Sequence, residues 1–452
     1  MELFELAKIM LLGITLGIFT GMLPGVGIFT TVFLFLGMLK TMDAFSIILF
    51  YVSLICTTHY IGSVVAIYLG VPGEQTSLIA CRYGFKIFQR KNSLGDLLIS
   101  GTAMGSFIGS MLGIFFIVVS FFWMSISLPF FSMKIQLVLF LVIFIAMACH
   151  GGSKKILLNI FFIALGTLLG SIGFNHIQSI TLTFGQNWLV PGLNPVLIIL
   201  ILFVIPNMIM HTNFQTKKNS VPEKIRSTPR VIKGVRVAGK YFYTVLRGSF
   251  VGSIMGLVPG VGTSACSQVA AAMETKTRKG FIPKVMAAEA ANNSAVLTSI
   301  IPLLLFGIPI LPSEAIILDI LSTKQAIIGT TWFQGHTMFG LNYLEALLLA
   351  AFICNLCMMF LSCWGAVYLG KLYSLISPRL LVAFVIVFIL TIIGHDSWKL
   401  LRWQLDLLTI IVLLPFMFVI IKKRLDTLPL VFSLLLVELV QKIIYYYIEI
   451  YY

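Results

Sequence analysis

Two stretches decide the fold: GMLPGVGIFTT at Gly21 to Thr31 and GLVPGVGTSAC at Gly256 to Cys266. Each sets a proline among glycines inside an apolar run, where a helix loses a hydrogen bond and meets the proline ring. Their surroundings decide what such breaks mean. Of 452 residues, 59% are hydrophobic and only 10% charged, and the mean hydropathy is +1.03. That is far more apolar side chain than a soluble core needs. Runs such as Ile135 to Met147, Ile156 to Gly173, Val196 to Met210 and Leu380 to Gly394 carry no ionised side chain, and several approach the roughly 20 residues of a membrane-crossing helix. They lack the period-two alternation of barrel strands. The chain therefore reads as an all-α integral membrane protein with about 10–12 transmembrane helices. Glu2 and Glu5 precede the first apolar run and no small-x-small site follows, so that run reads as mature chain embedded in the lipid bilayer.

The net charge of +15 comes from short basic clusters between apolar spans, a positive-inside pattern that points away from nucleic acid as a partner. Seven cysteines and six histidines are scattered without ligand spacing, so neither a metal site nor an organic cofactor is expected. No nucleophile elbow, H-E-x-x-H or Walker sequence occurs, and the chain does not read as an enzyme.

A basic stretch divides the sequence into residues 1–210, a cytoplasmic connector at 211–242, and residues 243–452. Val245 to Ala272 is apolar but basic on both flanks, so it should enter and return as a re-entrant hairpin. Non-helical backbone at that depth is tolerated only when buried in protein or lining a wet cavity. A second proline break follows the first at matched distance: Pro72 lies 48 residues after Pro24, and Pro309 lies 50 after Pro259. Each half thus reads as a hairpin (8–36 and 245–272), a broken span (45–80 and 285–315) and four further spans. The strongly basic loop follows the second break in the first half but lies between the breaks in the second. The two halves are therefore expected to be inverted-topology repeats, whose interrupted helices mark a transport site.

The breaks carry the candidate chemistry. Amides freed around Pro24, Gly25 and Gly27, around Pro72 and Gly73, and around Gly260 and Gly262 would attract a carboxylate through open donors and positive helix ends. Thr30 and Thr31 flank the first hairpin tip, and Thr263, Ser264, Ser267 and Gln268 the second. Glu74 follows a break, and Glu289 opens AEAANNSA, where Asn292, Asn293 and Ser294 enter a span. Acids in such surroundings are functional candidates: Glu289, Glu74 and Ser294 are read as coupling a sodium ion or a proton, and Asn292 and Asn293 as donating to the anion. Glu314 and Asp319 read as solvated charges near the outer surface, and Gly101, Gly105 and Gly109 as a helix-packing seam.

These motifs, GMLPGVG, YIGSVVAIYLGVPGEQTS, GLVPGVGTSACS and AAEAANNSAVLTSIIPLLLFGIP, resemble in order and spacing the large membrane subunit of the tripartite tricarboxylate transporter family. Pro24, Gly25, Gly27, Ser63, Pro72, Gly73, Glu74, Pro259, Gly260, Gly262, Glu289, Asn292, Asn293 and Pro309 match its pattern, while Gly70, Cys81 to Gly84 and Ile310 depart from it. The resemblance implies a cation-coupled importer of a small carboxylate such as citrate, in a bacterial-type inner membrane, with an elevator-like motion. It also implies two partners, a small four-helix membrane subunit and a periplasmic substrate-binding protein. The alternatives are a channel, a membrane enzyme on lipid-linked substrates, or an orphan divergent subunit with a non-carboxylate substrate.

Overall fold

The computed structural model describes residues 3–23, 27–70, 75–90, 92–127, 141, 144–145, 147–149, 155–173, 182–190, 192–206, 209, 231–258, 262–274, 281–324, 326, 329–338, 340–365, 368–369, 403–431, 433–434 and 437. In chain order the principal helices are α1 (Leu3–Met22), α2 (Ile28–Leu34), α3 (Ala44–Leu69), α4 (Asn92–Ser127), α5 (Ile156–Ser171), α6 (Phe242–Gly256), α7 (Gly262–Met273), α8 (Phe281–Phe306), α9 (Pro312–Thr323), α10 (Tyr343–Trp364) and α11 (Trp403–Lys423). Among the described residues six of these are long and apolar enough to cross a bilayer: α1, α3, α4, α8, α10 and α11. The protein is an all-α, multi-pass membrane protein.

Two compact units divide the chain, Met1–Pro129 with Phe214–Ser377, and Phe130–Asn213 with Pro378–Tyr452. The first unit holds α1–α4 and α6–α10, and the second holds α5 and α11. In the second unit, Gly166 of α5 packs on Leu430 and Ser433, and Thr427 donates to Leu202 O at 2.7 Å.

At the centre of the first unit lie α3 and α8. Their apolar spans are 94% and 89% buried, against 22% for α1, 39% for α4 and 44% for α10. Polar residues on α3 and α8 therefore face protein and not lipid. Each of the two helices is 26 residues long and ends in a left-handed glycine, Gly70 at φ +66° and Gly307 at φ +64°. Only glycine takes this conformation cheaply, and Pro72 and Pro309, two residues beyond, bar any continuation. At the end of α8 the Gly307 amide bonds Leu303 O at 3.0 Å and the Ile308 amide bonds Pro302 O at 3.1 Å, which satisfies carbonyls that the break would otherwise strand in the protein interior.

Glycines let the neighbouring helices reach these two. Gly13, Gly17 and Gly21 of α1 press on α3; a β-carbon on Gly17 would lie 2.6 Å from Thr57 Cβ and 2.9 Å from Leu54 O. Gly248, Gly252 and Gly256 of α6, each 235 residues later, press in the same way on α8 at Ala287, Ala291 and Ala295. Lipid chains are as apolar as side chains, so association in a membrane depends on such close backbone approach. A third seam lies on α4, where Gly101 and Gly105 meet Met286 and Gly109 meets Ala290, in accord with the packing role read from their spacing. At the base of the second hairpin, Arg247 pairs with buried Glu274 at 2.5 Å.

The expected hairpins fall on α1 with α2 and on α6 with α7, and the expected broken spans on α3 and on α8 with α9. Residues 211–230 of the connector lie outside the described residues. Its end, Val231–Lys240, is helical and packs Gly234 on Ser100 of α4. It buries Val237 and Ala238 in a cluster with Val245, Met286 and Ala290, so it is part of the fold and not a solvated linker.

Overpacking a helix seam costs about 1–3 kcal/mol. Gly17→Leu and Gly252→Leu should each lower the thermal midpoint of the detergent-purified protein by several degrees. Gly37→Leu, at a site with nothing within 4 Å of a new β-carbon, should leave it unchanged. Equal midpoints for all three would refute the seam.

Candidate functional site

Where α3 crosses α8, a polar cluster forms that is closed to solvent. Glu289, Asn292 and Asn293 lie at i, i+3 and i+4 and so share one face of α8. Their exposures are 0%, 0% and 1%. On α3, His59 and Ser63 are one turn apart and face them. Ser63 donates to Glu289 Oε2 and also lies 2.9 Å from His59 O. A hydroxyl has one proton, so it serves only one of these two acceptors at a time.

The amide groups of the two asparagines are already engaged. Asn293 Nδ2 donates to Ser106 Oγ of α4 at 2.8 Å and to Glu289 O at 2.9 Å. Because a main-chain carbonyl can only accept, the second bond settles which way this amide points. Asn292 Nδ2 lies 3.2 Å from His59 Nδ1, and Thr76 Oγ1 lies 3.4 Å from the same nitrogen.

Three oxygens in this cluster have no donor among the described residues: Glu289 Oε1, Asn292 Oδ1 and Asn293 Oδ1. Leaving a buried acceptor unsatisfied costs about 1–3 kcal/mol each. These three oxygens suit a cation or a proton. They repel a carboxylate. With both amide nitrogens engaged, the oxygens of Asn292 and Asn293 are the atoms left over.

Two of the breaks meet other elements across the halves. The start of α7, just past the second hairpin tip, packs on Gln75–Ser77, just past the first broken span. Likewise α2, past the first tip, packs on α9, past the second broken span. Gly262 has φ +67°, Thr263 is buried, and Ser267 donates to Ala288 O at 3.2 Å, tying the tip helix to α8. Thr30 is buried, and Thr31 Oγ1 lies 2.6 Å from Thr20 Oγ1, joining the two arms of the first hairpin. Ser264 is half-buried and Gly27 caps α2 in an extended conformation. Ser294 donates to Ser249 O at 2.7 Å, which places it on the hairpin-packing side of α8. Pro24, Gly25, Pro72, Gly73, Glu74, Pro259 and Gly260 lie outside the described residues.

One expectation is overturned. Glu314 is not a solvated charge near the outer surface: it is 0% exposed, and its carboxylate accepts from Ile310 N at 2.7 Å, Leu311 N at 3.0 Å and Ser299 Oγ at 3.0 Å. His59, Thr76 and Ser106 were not singled out from the sequence. His59 stands four residues before Ser63, a helical neighbour that metal-ligand spacing alone does not reveal.

Residues 8–432 match the Tripartite tricarboxylate transporter TctA family. The chain belongs to this family. It is therefore a membrane component of tricarboxylate transport, in a family of transporter components and not of enzymes, and the tripartite arrangement implies a small membrane subunit and a periplasmic binding protein. A protein of Agrobacterium vitis described as an uncharacterized 52.8 kDa protein in the TAR-I ttuC' 3' region is 27% identical over 357 residues, 73% of this chain and 69% of that protein. No solved structure matches.

Buried acceptors without donors weaken the fold, so removing them relieves it. Glu289→Met should give a folded protein whose thermal midpoint equals or exceeds the wild type. A fall of many degrees would show that Glu289 is fully paired inside the resting protein.

Proposed function

We propose that this TctA-family chain is the large membrane subunit of a cation-coupled importer of a small carboxylate, working with a four-helix membrane subunit and a periplasmic binding protein in a bacterial-type inner membrane. One observation carries the reading: three buried oxygens without donors among the described residues, Glu289 Oε1, Asn292 Oδ1 and Asn293 Oδ1, on one face of a central helix. A sodium ion takes oxygen ligands of this kind, and its charge would balance the carboxylate of Glu289. A proton on Glu289 would serve the same end, giving Ser63 back to His59 O. The substrate carboxylate is assigned to the amides of the glycine tips around Gly25, Gly73 and Gly260, with Thr263 and Ser264 beside them. Cation and anion in adjoining sites lower each other's desolvation cost, which is the physical basis of coupling.

Inverted repeats and an elevator-like motion belong to the same proposal. Supporting it are the paired lengths of α3 and α8, the paired glycine triplets of α1 and α6, and the division of each half between the two units. All residues of the polar cluster fall in the first unit, as a cargo-carrying core requires.

Uptake of radiolabelled citrate and dicarboxylates would be measured in vesicles holding the partner subunits, with sodium and proton gradients set separately. Glu289→Gln, Asn293→Ala and Gly260→Ala should each cut the initial gradient-driven rate by at least about tenfold, roughly 1.4 kcal/mol, at unchanged protein level. Wild-type rates in all three would exclude this site.

A further inference from the structure

The end of the connector that enters the fold has three faces. Along Val231–Lys240 and the following Tyr241, residues 234, 237, 238 and 241 recur at i, i+3, i+4 and i+7 and pack on protein. Gly234 meets Ser100 of α4, Val237 meets Gly101, and Tyr241 packs on the cluster that holds Met286 and Ala290. Ile232 and Val235 lie on a second face, and Lys233, Arg236 and Lys240, at i, i+3 and i+7, on a third. Both of these faces are exposed. A helix that rests on protein by one face needs only polar side chains elsewhere to meet water. Ile232 at 80% exposure and Val235 at 52% therefore call for a further apolar surrounding.

The neighbouring chain shows what that surrounding is. Phe242, Leu246 and Phe250 of α6, at i, i+4 and i+8, are likewise exposed, and they form the outer face of an arm of the second hairpin, where acyl chains are the solvent. The apolar face of the connector helix leads directly into this one.

The basic face has no counter-charge of its own. No acidic residue occurs between Glu223 and Glu274, and Glu274 is taken by Arg247. Among the described residues none of Lys233, Arg236 and Lys240 pairs with a carboxylate. Positive charge gathers further at this end of the first unit: Ile282 packs on the same cluster as Val237, and Lys284 lies over the Tyr83 ring at 5.2 Å. An apolar strip beside a basic strip on one short helix suits a position in the membrane interface. There the apolar side chains enter the acyl region while lysine and arginine heads reach lipid phosphates.

We propose that Val231–Lys240 is an interfacial helix that binds anionic phospholipid, with Lys233, Arg236 and Lys240 at the phosphates and Ile232 and Val235 among the acyl chains. Zwitterionic lipid offers the same apolar region without net negative charge, and so fits only half of the site. Because the third face is packed on α4 and α8, lipid held here stabilises the folded first unit. The proposal does not depend on which ion or anion the chain carries.

Thermal unfolding of the purified full-length protein in dodecyl maltoside, titrated with phosphatidylglycerol or phosphatidylcholine, tests it. Phosphatidylglycerol should raise the wild-type midpoint saturably by several degrees, and neither phosphatidylcholine nor sodium phosphate at equal ionic strength should do so. In K233Q/R236Q/K240Q the phosphatidylglycerol concentration that gives half the shift should rise at least about tenfold. I232S/V235S should also bind more weakly, whereas K422Q/K423Q, at the end of α11, should respond like the wild type. An unchanged response in either connector variant, an equal loss in K422Q/K423Q, or the same shift from phosphatidylcholine or sodium phosphate would each overturn the proposal. If K233Q/R236Q/K240Q is destabilised before lipid is added, the phosphatidylglycerol that co-purifies with it decides. A clear loss relative to the wild type supports the site, and an equal amount overturns it.

Discussion

Main-chain amides and carbonyls inside a bilayer have no water to turn to, and the rest of this structure follows from that constraint. An unbroken helix meets it automatically. A helix stopped by glycine and proline does not, and this chain stops helices within its apolar runs at four places. Where the structure describes the consequence, the loose groups are taken up by the protein: the carbonyls ending α8 by the amides of Gly307 and Ile308, and the amides starting α9 by Glu314. Burying a carboxylate to do this is expensive unless donors meet it, and Glu314 has two donors on Oε2 and one on Oε1.

Glu289 makes the opposite case. Both acids are fully buried and both touch a serine. Glu314 has donors on both oxygens, whereas among the described residues Glu289 keeps one oxygen without any and stands beside two asparagine oxygens in the same condition. The difference marks Glu314 as a structural acid, while a mobile cation at Glu289 belongs to the transport proposal. The glycine triplets of α1 and α6 bring flanking backbones close against α3 and α8, in keeping with the near-complete burial of those two helices.

Much of this was legible in the sequence, for identifiable reasons. Membrane class follows from hydropathy, and the ends of α3 and α8 follow from glycine-proline pairs, both local signals. Glu289, Asn292 and Asn293 stand out in the sequence because ionisable and amide groups are rare in such runs, and the structure gathers them in one buried cluster. What escaped were facts about neighbours. Glu314 looked solvated because PSE stands near the end of an apolar run, and only the fold shows that α9 continues into protein. The triplets Gly13, Gly17, Gly21 and Gly248, Gly252, Gly256 carry a fourfold spacing and the same 235-residue offset as PGVG, so they could have been found. His59 could not be ranked above the other histidines without knowing that α3 lies against α8.

The orientation of the asparagines has a consequence for how cation and anion share the core. Had their amide protons been left over in place of their oxygens, the α8 cluster would favour an anion and place two negative groups, substrate and Glu289, in one buried volume, at a cost that Coulomb energy at low dielectric makes prohibitive. With Nδ2 of Asn293 held by Ser106 and Glu289 O, and Nδ2 of Asn292 held by His59, the oxygens reinforce Glu289 and the negative potential on this face is at its strongest. A positive ion lodged there changes the sign of that argument, since it neutralises the acid and makes the neighbouring volume hospitable to a carboxylate. On the transport reading, ion and substrate then favour each other's binding, with Ser106 beside Asn293 and His59 beside Asn292 holding the amide groups.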